Sequence, residues 1–71
     1  MKNPVTKSPE ILTRFDALPA EARAALKDFC SWLYRHARDE AERSWASSKA
    51  PMAVYWKAVA AWAYHISRAI N

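Results

Sequence analysis

From Ser8 onward the apolar residues recur every three or four positions and nowhere alternate in twos, which predicts helices and no strands. Ile11, Leu12, Phe15 and Leu18 form the first row. Ahead of it, Ser8, Pro9 and Glu10 supply a capping hydroxyl, a ring suited to the first helical position and an acid beside the positive helix end. Pro19 then drives Leu18 away from helical geometry, so this helix is expected over about 9–18.

The pattern restarts at Pro19, Ala20 and Glu21, and no glycine or proline interrupts it until Ser47, predicting one long helix over about 20–47. On a helical wheel Ala22, Leu26, Phe29, Cys30, Leu33, Ala37 and Ala41 form the core face, opposite Lys27, Asp28, Arg35, Arg38, Asp39 and Glu42. Ala25, Trp32 and His36 lie to one side and make a second apolar seam with Phe29, so the helix is expected to have two neighbours. The polar break Ser47, Ser48, Lys49, Ala50 and Pro51 supplies a serine cap and a first-turn proline for a third helix over about 51–70. There Met52, Tyr55, Trp56, Val59, Trp62, Ala63, Ile66 and Ile70 keep a 3–4 spacing and are expected to fill the core opposite helix 2. The short connection makes helices 2 and 3 antiparallel. The predicted fold is all-α: a short N-terminal helix and a long antiparallel helical hairpin. Residues 1–7, with only Val5 to bury, are expected as a flexible arm, and 8–71 as a single helical domain.

Length changes the picture most. A chain of 71 residues and 8.1 kDa buries only about 60% of its unfolded surface, which leaves the monomer marginal and favours closure into a dimeric helical bundle. The absence of glycine excludes phosphate-cradling loops of the Walker or dinucleotide-binding kind. One cysteine, Cys30, makes no internal disulfide, and no apolar run after a basic start resembles a secretory signal, so a cytoplasmic location is expected. The longest nearly uncharged stretch, Ala58 to Tyr64, is far short of the roughly 20 residues a membrane span needs.

Candidate chemistry is sparse. Cys30 falls on the core face, where an apolar setting hides a thiol. His36 and Glu40 offer two metal ligands on one face, where a closed zinc site wants four. His65 falls on the flank of helix 3. No catalytic residue, cofactor or metal site is expected, and the protein is expected not to be an enzyme. The block Arg35, Arg38, Asp39, Glu40, Glu42 and Arg43 is balanced in sign and pairs internally, as a solvated helix face does.

Net charge is +4 and the sequence pI about 9.6; from Lys49 onward Lys49, Lys57 and Arg68 stand with no acid. Lys57, Tyr64 and Arg68 share the outer face of helix 3, a basic and aromatic stripe that could meet phosphates and a stacked base, joined by Lys2 and Lys7 of the arm. Pro51, Met52, Ala53 and Val54 are nonetheless wrong for the start of a base-reading helix, so nucleic acid is the alternative and not the first choice. An interfacial helix would want the aromatics of helix 3 facing outward, and the wheel turns them inward.

Surplus aromatic surface points instead to a protein partner. Four Trp, three Tyr and two Phe are many for this length, and Trp32, Tyr34 and Trp45 project from the flanks of helix 2. On helix 3 the row Val54, Ala58, Ala61 and His65 presents little bulk to an approaching helix. The segment from Leu18, Pro19, Ala20 and Glu21 to Asp28, Phe29 and Leu33 locally resembles a pattern in some small bacterial antitoxin-like proteins, without their DNA-binding or toxin-binding parts, so no site residue carries over. In size and alanine-rich helical style the chain also resembles products by which phages and plasmids inhibit host proteins. The expected function is that of a small regulatory protein, a homodimer that occludes a surface on a larger host protein such as a transcription regulator. Its partner-binding residues are expected to be Trp32, Tyr34, His36, Trp45, Lys57, Tyr64 and Arg68.

Overall fold

The computed structural model describes Val5 and residues 7–70. Met1, Lys2, Asn3, Pro4 and Thr6, most of the expected arm, lie outside the described residues, as does Asn71. Three helices follow in order, α1 Pro9–Asp16, α2 Ala20–Ala46 and α3 Ala50–Ala69, with no strand among the described residues.

α1 begins as its sequence dictates. Ser8 is extended, its hydroxyl accepts from the Ile11 N–H at 3.3 Å, and Pro9 opens the first turn. It stops at Asp16, two residues short of Leu18, because Pro19 already constrains the residue before it. The Arg23 guanidinium reaches back from α2 and donates to the carbonyls of Leu18 at 2.6 Å and Asp16 at 3.3 Å, which satisfies acceptors that the broken helix leaves open. None of α1 is fully buried: Leu12 and Phe15 are half-buried and Ile11 is exposed. Val5, Ala69 and Ile70 are buried near the two ends of the chain.

The turn between α2 and α3 is a Schellman motif. The Ser48 N–H donates to the Trp45 carbonyl at 3.1 Å and the Lys49 N–H to the Ser44 carbonyl at 2.7 Å. This geometry puts Ser48 at φ 59°, the left-handed region where glycine is usual and this chain has none. The serines therefore close α2 and do not cap α3 as expected. Lys49 occupies the N-cap of α3 with no side-chain hydrogen bond, and Pro51 sits in its first turn.

α2 and α3 pack along their length as an antiparallel hairpin. Ring contacts tie Tyr34 to Tyr64 and His36 to Trp56, and the Lys57 ammonium lies over the Trp45 ring. The buried positions of the two helices are all small residues: Cys30, Ala37 and Ala41 of α2 with Ala53, Ala60, Ala63, Ser67 and Ala69 of α3. Small side chains at the contact bring two helix axes close together.

This corrects the expected core. Tyr55 (66% exposed) and Trp62 (54%) do not fill the space opposite α2, and Phe29 and Met52 are also exposed. The physical reason is size: a ridge of alanines closes the helices too tightly to admit an aromatic ring between them. The large rings lie outside the buried row, and several of them are exposed to solvent.

Candidate docking surfaces

Displacement of the rings gives the hairpin two unlike sides. On one, Phe29, Trp32 and His36 stack in sequence along α2, with ring centroids 5.9 Å and then 4.8 Å apart; the second pair is nearly parallel at 10°. These are steps of three and four residues, the spacing at which helical side chains meet. His36 then meets the edge of Trp56 on α3 at 5.9 Å. Val59 and Ile66, half-buried, follow Trp56 at helical spacing along α3, with Met52 and Tyr55 exposed. The expected second seam of Ala25, Phe29, Trp32 and His36 is present as this side of α2. At its loop end Glu40 and Arg43 pair with each other at 2.7 Å.

The other side is cationic as well as aromatic. Tyr34 of α2 and Tyr64 of α3 close over the seam with centroids 5.3 Å apart. Arg38 lies 5.5 Å from the Tyr34 ring centroid and donates to the Tyr34 hydroxyl at 3.0 Å, Lys57 is 5.8 Å from the Trp45 ring and Arg68 5.9 Å from the Tyr64 ring. These three cations are each set against a ring, which fixes their direction at small cost in solvation. Between them lies an open groove of about 520 Å³, floored by Ala41, Ala60 and Ala61 and walled by Tyr34, Arg38, Trp45 and Lys57. Glu42 is its single acid among the described residues. Trp45, 63% exposed, stands as a free wall at the loop end.

The seven expected partner-binding residues are thus split. Tyr34, Trp45, Lys57, Tyr64 and Arg68 come together on the groove side, drawn from two helices, while Trp32 and His36 belong to the apolar ladder on the other. Arg38, which shares the groove, is not among the expected residues: it falls among the solvated charges of α2, and only its four-residue step from Tyr34 and seven-residue step to Trp45 hint at it. Of the low-bulk row on α3, Ala61 joins the groove floor, Val54 and Ala58 are exposed, and His65 sits between the rings of Trp62 and Tyr64 at 6.3 and 6.0 Å.

Cys30 is buried at the α2–α3 seam, and burial pushes its thiol above the ordinary value of 9.0. That is the opposite of what a nucleophilic thiol needs. Among the described residues, no three His, Cys, Asp or Glu side chains converge where a metal ion could be held. No described helix is long and apolar enough to cross a membrane. No protein-family model, curated protein or solved structure matches this chain.

Proposed function

We propose that this is a small non-enzymatic regulatory protein that acts by binding a larger protein through the groove side and occluding the surface it covers. The observation that carries this reading is the convergence of Tyr34, Arg38, Trp45, Lys57, Tyr64 and Arg68 on one side of the hairpin, with three cations seated against rings. Exposed Trp, Tyr and Arg in a pocketed patch are the side chains from which interface energy is made. The charge excess there selects an acidic partner surface, and the alanines that line the groove offer an apolar anchor a seat.

The alternative is nucleic acid, favoured by the run from Lys49 to the end without an acid. The groove favours it less: three cations neutralise few phosphates, and Glu42 on the rim repels them. A tagged pull-down from source or host lysate, with and without nuclease, separates the two when run beside Trp45→Ala and Lys57→Glu. Expected is a stoichiometric protein that survives nuclease and is lost with either variant. Material that vanishes with nuclease, and whose binding falls steeply with added salt, transfers the groove to nucleic acid. A partner retained equally by both variants removes the groove from the interaction.

A further inference from the structure

We infer that the apolar side of the hairpin is covered by a second copy of this chain, two hairpins stacking face to face into a four-helix bundle. This goes beyond the groove reading and rests on different residues.

Among the described residues α2 and α3 are the only helices that pack extensively on each other, and α1 has no fully buried residue. The helical hairpin is a single layer, whereas a stable core is enclosed by two. Its radius of gyration, 13.8 Å, exceeds the roughly 11 Å of a compact chain of this length. Accessible surface tells the same story in area. The chain exposes 5386 Å², against roughly 4,500 Å² for a folded monomer of its mass, a surplus of about 900 Å². Each partner in a standard-sized interface buries about 800 Å². What the single layer lacks is the area one further copy would cover.

Charge decides which side the copy takes. A two-fold interface places a surface against itself, so it must be self-complementary. On the groove side Arg38, Lys57 and Arg68 lie against rings and Glu42 is the one acid lining the groove among the described residues, so two such surfaces would repel. The apolar side carries Phe29, Trp32 and Tyr55 exposed, and at its loop end Arg43 is already neutralised by Glu40. The Phe29–Trp32–His36–Trp56 ladder is held by its own ring contacts, so little side-chain freedom remains to be lost on stacking. A bundle closed this way turns both grooves outward, and one dimer offers a partner two of them.

Sedimentation equilibrium on the full chain tests this across the micromolar range. Expected is a mass twice the 8.1 kDa of the chain. Trp32→Glu and Tyr55→Glu replace side chains that are exposed in the single chain, so each is expected to keep its helical circular dichroism while weakening self-association at least about tenfold. Trp45→Glu, on the groove side, leaves the dimer intact. Diluting the unaltered chain supplies a readout no variant can spoil: tryptophan emission shifts to the red as the mass falls. A chain that stays at 8.1 kDa with constant emission overturns the inference. So does a dimer broken by Trp45→Glu but kept by Trp32→Glu and Tyr55→Glu, or a monomer that deposits on phosphatidylcholine vesicles through this side. Loss of partner capture in the Trp45 and Lys57 variants is read separately, so failure of the groove reading leaves the dimer untouched, and the reverse.

Discussion

Ala37→Leu asks whether the spacing of α2 and α3 is set by the small residues between them. Ala37 is 0% exposed, and the buried positions of the facing helix are alanines and a serine. Leucine brings three further carbons to this small-residue seam, and overpacking of this kind costs about 1–3 kcal/mol. The difference in helix propensity between the two residues is a few tenths at most, so it does not compete. For a domain of this size about 1 kcal/mol moves Tm by roughly 4–8 °C, and a fall of roughly 5–20 °C is expected in a thermal melt followed at the helical band. Were the helices spaced to hold aromatic rings, the same leucine would fill a void and add about 2 kcal/mol of apolar burial, raising Tm instead. The two packings therefore differ in sign. Ala58→Leu, on an exposed position of the neighbouring helix, is the control and is expected within about 0.5 kcal/mol of the parent. All three melts are compared at one chain concentration, since self-association would otherwise shift Tm by mass action. A Tm for Ala37→Leu that rises or stays with the control refutes the small-residue seam.

Two further outcomes follow from single residues. Ser48 sits at φ 59°, so Ser48→Gly is expected to stabilise by roughly 0.5–1 kcal/mol once glycine's extra unfolded freedom is subtracted, and Ser48→Val to destabilise by more than that; urea midpoints in the opposite order would dismiss the strained turn. Burial holds the Cys30 thiol above 9.0, so the folded chain keeps its proton to higher pH than the unfolded chain does. Stability tied to this group is full below pH 9.0 and declines as pH rises past it, and Cys30→Ala should lack that decline. Parallel stability curves for the two chains between neutral pH and pH 10 would show that the thiol is not desolvated.

What could be read in the sequence was whatever depends on neighbours along the chain. Ser8 with Pro9 fixes where α1 begins, Pro19 where it breaks, and the uninterrupted helix formers from Ala20 the length of α2. The hairpin follows from the short link at Ser47 to Lys49. What failed was the inward face of α3, because a wheel weights residues by hydrophobicity and the three large rings Tyr55, Trp56 and Trp62 outvote the alanines beside them. The signal that would have found the seam is steric: Cys30, Ala37 and Ser44 on one helix and Ala53, Ala60 and Ser67 on the other recur at seven residues, the small members of each row. The groove was half legible for the same reason. Lys57, Tyr64 and Arg68 share a face of α3 by spacing alone, but their meeting with Tyr34, Arg38 and Trp45 depends on a register that only tertiary packing sets.

The small seam also ties stability to binding. An alanine buried against an alanine removes far less apolar area from water than a leucine or an aromatic pair would, so close approach is obtained at the expense of hydrophobic stabilisation. The chain holds ample apolar surface, but in Phe29, Trp32 and Tyr55 on one side and Trp45 and Tyr64 on the other, where a single hairpin cannot use it. The same substitutions that would enlarge the core would spread the helices and dissolve both surfaces, since the ladder and the groove each span the two helices. A chain built this way is stabilised most by whatever covers its flanks, and anything that binds the folded form alone raises its stability with concentration. Selection for a thin hairpin with bulky flanks is therefore selection for surfaces, and on this reading the marginal stability of 71 residues and the capacity to bind are consequences of one packing choice.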